Sequence, residues 1–327
     1  MERAPKTQEV FGWRVAAAIF LMATAAGSYI IGFAFGLFDP TYLDLSSVAI
    51  ILAAPVAILG GSLMLCDMGQ KKEWYHTFTH PRSSWMSLGA IFLTLFILLD
   101  LVHIFTGIWP ASVIVVGQGA YWTLGIITSL VAVVVLVYTG LLLGVVKSIP
   151  FWSGSFLPWL FVFSGLSTGS MAAALVYSLY KFAGGSGVVQ PLEVLAYFTF
   201  CIIILQSIVL AIYLSAMKSR ASASVMMVTE GKLAGIFWGG VVVAAVILPL
   251  IFEGLKAFSF LTTSTLLLLA LIGGIIGLVC GFMLRNVIVR GGIRLLLYVQ
   301  GVLVEPPPEK YRTKVLEQAE YETFQRP

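Results

Sequence analysis

Eight long apolar runs constrain this protein more than anything else in its sequence. They lie near residues 14–36, 48–66, 86–109, 121–146, 155–180, 192–217, 233–253 and 262–284. A helix needs about 20 residues to cross about 30 Å of hydrocarbon, and each run approaches or exceeds that length. The runs are too long for barrel strands and show no period-two alternation, which leaves α-helices as the spanning solution. Composition agrees: 59% of residues are hydrophobic and 10% charged, against roughly 25% charged in soluble domains. The expected fold is an all-α integral membrane protein with eight transmembrane helices, arranged as two four-helix bundles. Residues 1–304 are expected to form this domain. Residues 305–327, charged and opened by Pro306–Pro308, are expected to form a solvated cytoplasmic tail.

The first run, Val15–Phe35, is too long for a cleavable signal peptide and lacks a small-residue cleavage site, so it reads as a retained span. An even number of spans places both termini on one side. Of the 19 Lys and Arg residues, all but Lys181 and Lys256 then fall on the N-terminal side. The positive-inside rule makes that side cytoplasmic, with the loops after spans two, four and six. The net charge of +4 is thereby a topology signal, and nucleic acid is excluded as a partner. Glu193 and Glu253 are expected in water near the outer span ends, and Arg285 among the cytoplasmic charges.

Several chemistries are excluded. Cys66, Cys201 and Cys280 are far apart and form no CxxC, which argues against structural zinc or a Cys-ligated cluster. His103 is the only histidine inside a run, so a bis-His haem has no ligand pair. The sequence contains no phosphate loop and no HExxH.

Polar residues gather in "CDMGQKKEWYHTFTHPRSSWM" (66–86), which holds Asp67, His76, His80, Arg82 and Trp85. One reading is topology, which accounts for Lys71 and Lys72. The other is a wall of hydrogen-bonding groups at the ends of neighbouring spans, where a ligand's polar head could sit with its tail in lipid. Tyr138 and Trp152 lie at and beyond the cytoplasmic end of span four. They suit interface anchors, and their loop faces the same side as 66–86. Asp100 and His103 are the ionisable pair deep inside a span, three apart and so on one helix face. They read either as a hydrogen-bonded structural pair or as a proton relay.

Three stretches carry a resemblance. "DMGQKKEWYHTFTHPRSSWMSLGA" (67–90), "YTGLLLGVVKSIPFWSGSFLPWLFVFSGLSTG" (138–169) and "FWGGVVVAAVILPL" (237–250) resemble the NrfD/PsrC family, the membrane-anchor subunits of polysulfide-reductase-type complexes. The resemblance covers nearly the whole sequence. It implies a subunit that binds quinone (menaquinone or ubiquinone) and carries no haem or iron–sulfur cluster. The implied partners are a ferredoxin-like four-cluster iron–sulfur subunit and a molybdopterin catalytic subunit. The implied setting is the inner, cytoplasmic membrane of a respiratory chain, with electrons exchanged with the quinone pool and protons translocated. Tyr138 corresponds to the family's quinone-contacting tyrosine. The family's helix-one Asn and His positions fall here at Ala16 and Ile19, so that part of the site differs. The quinone-site candidates are Tyr138, Asp67, His76, His80, Arg82, Trp85 and Trp152. Within them Asp67, His76 or His80 would exchange protons, and Arg82 would offset charge developing on the quinone or hold Asp67. Asp100 and His103 are the proton-pathway candidates. No metal site and no catalytic residue in the strict sense is expected. The alternatives are a proton-coupled secondary transporter, against which stands the lack of paired Gly/Pro interruptions, and a purely structural anchor.

Overall fold

The computed structural model describes residues 11–67, 85–107, 116–146, 148–185, 188–258, 261–293, 297–299 and 302–304. Among them, eight helices are long and apolar enough to cross a membrane. They are α1 (Trp13–Phe38), α2 (Leu43–Cys66), α3 (Trp85–Gly107), α4 (Gln118–Gly144), α5 (Leu157–Phe182), α6 (Gln190–Arg220), α8 (Ile236–Phe258) and α9 (Thr263–Arg290). A short α7 (Ser222–Thr229) follows α6. A two-stranded antiparallel hairpin, Leu297–Val299 with Val302–Val304, follows α9, with no sign of it in the apolar pattern. The expected tail, 305–327, lies outside the described residues.

Each expected span exists, with ends displaced by a few residues. The 3-10 turn Pro40–Tyr42 bridges α1 to α2. Asp39 caps it, accepting from the Thr41 backbone N–H and hydroxyl, both at 2.8 Å. These two donors hold the exposed Asp39 carboxyl below its ordinary range. In α8, Ile236–Ile247 winds as a π-helix and Leu248–Phe258 as an α-helix. Pro249 has no N–H to give the preceding turn, so the register change falls where the proline already breaks the ladder. Pro55 inside α2 removes one ladder bond in the same way.

Helix α1 is the axis of the molecule: 83% of its core window is buried, against 33% for α3. It packs against α2, α4, α5 and α9, while α3 closes from α2 to α4. The helices α5, α6, α8 and α9 close a second ring of neighbours, and α1 meets α5 at the seam. Lipid gives apolar side chains no reason to prefer one another, so helices in it associate through small residues and close fit. The seam is made that way. A Cβ on Gly27 would collide with the Gly165 carbonyl, and one on Gly169 with the backbone of Gly27 and Ser28. On α9, Gly274, Gly277 and Gly281 admit Leu175, Met171 and Thr168 of α5.

Alternating helix direction gathers Trp13, Cys66, Trp85, Gly144, Leu157, Arg220, Ile236 and Arg290 at one end. Long-range hydrogen bonds tie that end together. Trp152 Nε1 donates to the Ile288 carbonyl at 2.9 Å, and the Tyr213 hydroxyl to the Phe151 carbonyl at 2.6 Å.

Candidate functional site

A cavity of about 270 Å³ lies between α2 and α3 at the end that holds the N-terminus. Its walls are apolar: Met22 of α1, Ile58, Gly61 and Leu65 of α2, and Met86, Gly89, Leu93 and Ile97 of α3 all line it. Ile58, Leu65 and Met86 of its lining are exposed, so the cavity is open rather than sealed. Three hydroxyls line it: Ser62, Thr94 and Tyr138. Ser62 and Thr94 donate to carbonyls of their own helices, those of Leu59 and Ala90, each at 2.8 Å. That back-bonding is the usual fate of a hydroxyl on a helix. Tyr138 remains as the polar group projected from another helix. It reaches the cavity because position 89 is glycine; any Cβ there would run into the phenol ring and hydroxyl. At 6% exposure Tyr138 is otherwise enclosed.

The candidates from the sequence separate into three groups. Asp67 caps the C-terminus of α2 and is exposed, two residues past the lining Leu65. Trp85 opens α3, is 50% exposed, and precedes the lining Met86. Both flank the mouth of the Tyr138 cavity. His76, His80 and Arg82 lie outside the described residues. Trp152 is brought elsewhere: it is 1% exposed, packs on Gly292, and commits its indole N–H to α9. It does not line the cavity. Ala16 and Ile19 are fully buried in the apolar cluster that also holds Tyr138, and they put no polar atom there.

Asp100 and His103 are both 0% exposed and sit at the far side of the first helix ring. The lining of the cavity reaches Ile97, one turn short of Asp100. His103 Nδ1 and the Tyr29 hydroxyl are 2.6 Å apart, so one of the pair donates to the other. The Tyr121 ring of α4 lies 4.5 Å from that of His103, and Thr128 neighbours the Tyr29 hydroxyl. The Asp100 carboxylate lies beside the Ala54 backbone N–H, just before Pro55, yet neither oxygen has a fitted hydrogen bond. An unmatched carboxyl at this depth costs at least about 2.5 kcal/mol when charged and has to be wetted or neutral. The four helices α1–α4 thus gather one polar knot around Asp100 and His103.

Sequence reasoning missed Tyr29 and Tyr121. A signal for Tyr29 was available. At ~1.5 Å per residue it stands ~24 Å along α1 from Trp13, and His103 ~27 Å along α3 from Trp85, which is nearly the same depth. Two expectations are corrected. Glu253 is 2% exposed and paired with Lys256 at 2.7 Å, because α8 runs to Phe258 and carries both side chains inside the protein. Arg285 is fully buried, because α9 continues to Arg290. Among the described residues no group of three or more His, Cys, Asp or Glu could hold a metal ion.

The family described as "Polysulphide reductase, NrfD" matches residues 3–296. The C subunit of polysulfide reductase from Wolinella succinogenes is 28% identical over 289 residues, 80% of this protein and 90% of that one. Protein NrfD of Escherichia coli K12 is 26% identical over 192 residues, 52% of this protein and 60% of that one. With a family match across nearly its whole length and eight spanning helices in its fold, this chain belongs to the NrfD polysulphide reductase family.

Proposed function

We propose that this protein is the membrane anchor and quinone-binding subunit of a respiratory oxidoreductase complex. It exchanges electrons between the menaquinone or ubiquinone pool and a ferredoxin-like four-cluster iron–sulfur subunit, itself coupled to a molybdopterin catalytic subunit. One observation carries this reading: an open, apolar cavity lined by a single phenol that reaches it from another helix. The residues fit a quinone. Apolar walls and three methionines, Met22, Met64 and Met86, suit a flat ring and an isoprenoid tail. Tyr138 supplies a hydrogen-bond donor to one carbonyl. A bound quinone brings the redox chemistry, and the protein positions it, excludes water and delivers protons. The name of the Wolinella relative, a polysulfide reductase subunit, supports the assignment to such a complex.

Asp67 and Trp85, the described residues on either side of positions 68–84 in the sequence, adjoin the lining residues of this cavity. Those positions carry His76, His80 and Arg82, which we assign to proton exchange and charge compensation at the quinone head. The same rim is the docking surface for the iron–sulfur partner. The excess of Lys and Arg at this end supports a cytoplasmic position for the rim, both termini and the partner. Asp100 and His103, one turn beyond the cavity, carry protons away from it.

Replacing Tyr138 by Phe tests the reading. Removing one hydrogen bond from a reacting carbonyl costs a factor of roughly 10 or more in quinone turnover, by the ~1.5–3 kcal/mol of a bond to a charge-developing group. Assembly with the iron–sulfur partner is expected to be intact. Unchanged quinone kinetics remove Tyr138 from the site, and copurification without any iron–sulfur protein removes the complex.

A further inference from the structure

A second polar file runs through α5, α6, α8 and α9, on the other side of the seam from Asp100 and His103. Arg285 begins it. Its guanidinium lies between the rings of Phe20 and Phe161, at 5.5 and 5.3 Å, and Nη1 donates to the Ser164 hydroxyl at 3.0 Å. Its Nε and Nη2 have no partner among the described residues. The Ser167 hydroxyl is within reach of the Ser164 carbonyl at 3.0 Å and of Gln206 Oε1 at 2.8 Å. The Ser170 hydroxyl donates to the Ser167 carbonyl, and Thr199 of α6 lies 2.8 Å from the Ser170 hydroxyl. The next level holds the ion pair. The Phe200 and Phe258 rings meet at 5.5 Å, and Gly254 faces the Phe200 ring. This puts the buried Thr199 and the buried Glu253–Lys256 pair at one height. Gly273 of α9 faces Phe252 at that height, twelve residues from Arg285, so the file covers ~18 Å of membrane thickness at ~1.5 Å per residue.

Hydroxyls between helices are ordinarily glue. Two features go beyond glue: a fully buried cation with two unmatched N–H groups, and a sealed carboxylate–ammonium pair on the same file. Intramembrane ionisable groups are expensive and mark ion routes. We infer that this file is a proton route through the second helix ring, separate from the quinone cavity. The proton is taken up on the Glu253 carboxylate, which releases Lys256, and travels over Thr199, Ser170 and Ser167, bridged by water, while Gln206 Oε1 accepts from the Ser167 hydroxyl and orients it. Arg285 is the positive barrier at the inner end that excludes other cations. Only O–H bonds are exchanged, and no electron is transferred. This inference does not rest on the quinone reading.

The test uses the full-length protein in liposomes with an entrapped pH indicator and a valinomycin-set potassium diffusion potential. Wild-type protein is expected to pass protons at least tenfold faster than lipid alone. The double variant Glu253→Gln/Lys256→Gln and Gln206→Leu are expected to fall to the lipid rate. Cys201→Ser, on the exposed face of α6, is expected to match wild type. Ser170→Ala leaves both charges paired and decides the case if the double variant does not fold; its flux is expected to drop severalfold. Wild-type flux equal to lipid, or wild-type flux in Gln206→Leu and Ser170→Ala, overturns the proposal. Quinone binding measured on the same samples reports the other site independently.

Discussion

Gly89 shows how one missing atom places a functional group. The Tyr138 phenol occupies the space a Cβ would take, so Gly89→Ala must push the ring out of the cavity or spread α3 from α4. Overpacking of this kind costs about 1–3 kcal/mol. The expected outcome is quinone affinity weakened at least as much as in Tyr138→Phe, measured by displacement of a bound quinone-site inhibitor; unchanged affinity would show that the ring can move freely. Asp100 makes the opposite case, a group with too few neighbours. Asp100→Asn keeps its shape and removes its proton. Turnover of a complex in detergent is expected to persist, while charge movement in vesicles falls; equal charge movement would make the residue structural. The Glu253–Lys256 pair is sensitive to which half is removed. Glu253→Gln alone leaves a buried ammonium uncompensated and is expected to destabilise by about 3–5 kcal/mol, whereas neutralising both recovers most of that loss. Thermal unfolding of the two variants side by side distinguishes these outcomes.

Among the elements, α1 and α5 hold the molecule together through backbone contact. Gly169 has no room for a side chain, while Gly239 on α8 has nothing within 4 Å of the place a Cβ would take. Gly169→Ile is expected to abolish monodisperse protein in size-exclusion chromatography, and Gly239→Ile to leave it unchanged; similar behaviour of the two would mean the seam is soft. Gly165, Gly169 and the α9 glycines stand out for close contact in the sequence itself, because small residues in a spanning helix have few other uses. Which helices they joined was not legible. Neither was the π-wound half of α8, although Pro249 at its junction with the α-helical half stands in the sequence.

On the scale of the whole molecule, charge asymmetry and helix count together predict an orientation that a reporter can test. A fluorescent reporter fused after Pro327 is expected to fold and fluoresce in the cytoplasm, and one inserted near Gly184, between α5 and α6, to stay dark. A bright signal at Gly184 would reverse the orientation and move the docking rim outside. At this scale Cys66, Trp85 and Tyr138 converge at one end, which the even number of spans between Trp85 and Tyr138 already required. Trp152 shares that end and even so points into the second ring, since its indole N–H found the Ile288 carbonyl.

The number of spans, their approximate limits and the side carrying the charge follow from the sequence, because lipid forces each segment to satisfy its own backbone and leaves length as a readable signal. Which polar atoms meet is decided by tertiary structure alone. Tyr29 and His103 are 74 residues apart, and Ser164 and Arg285 121. On helices that are apolar on nearly every face, no periodicity marks the side that will turn inward, and only close packing of small residues selects it.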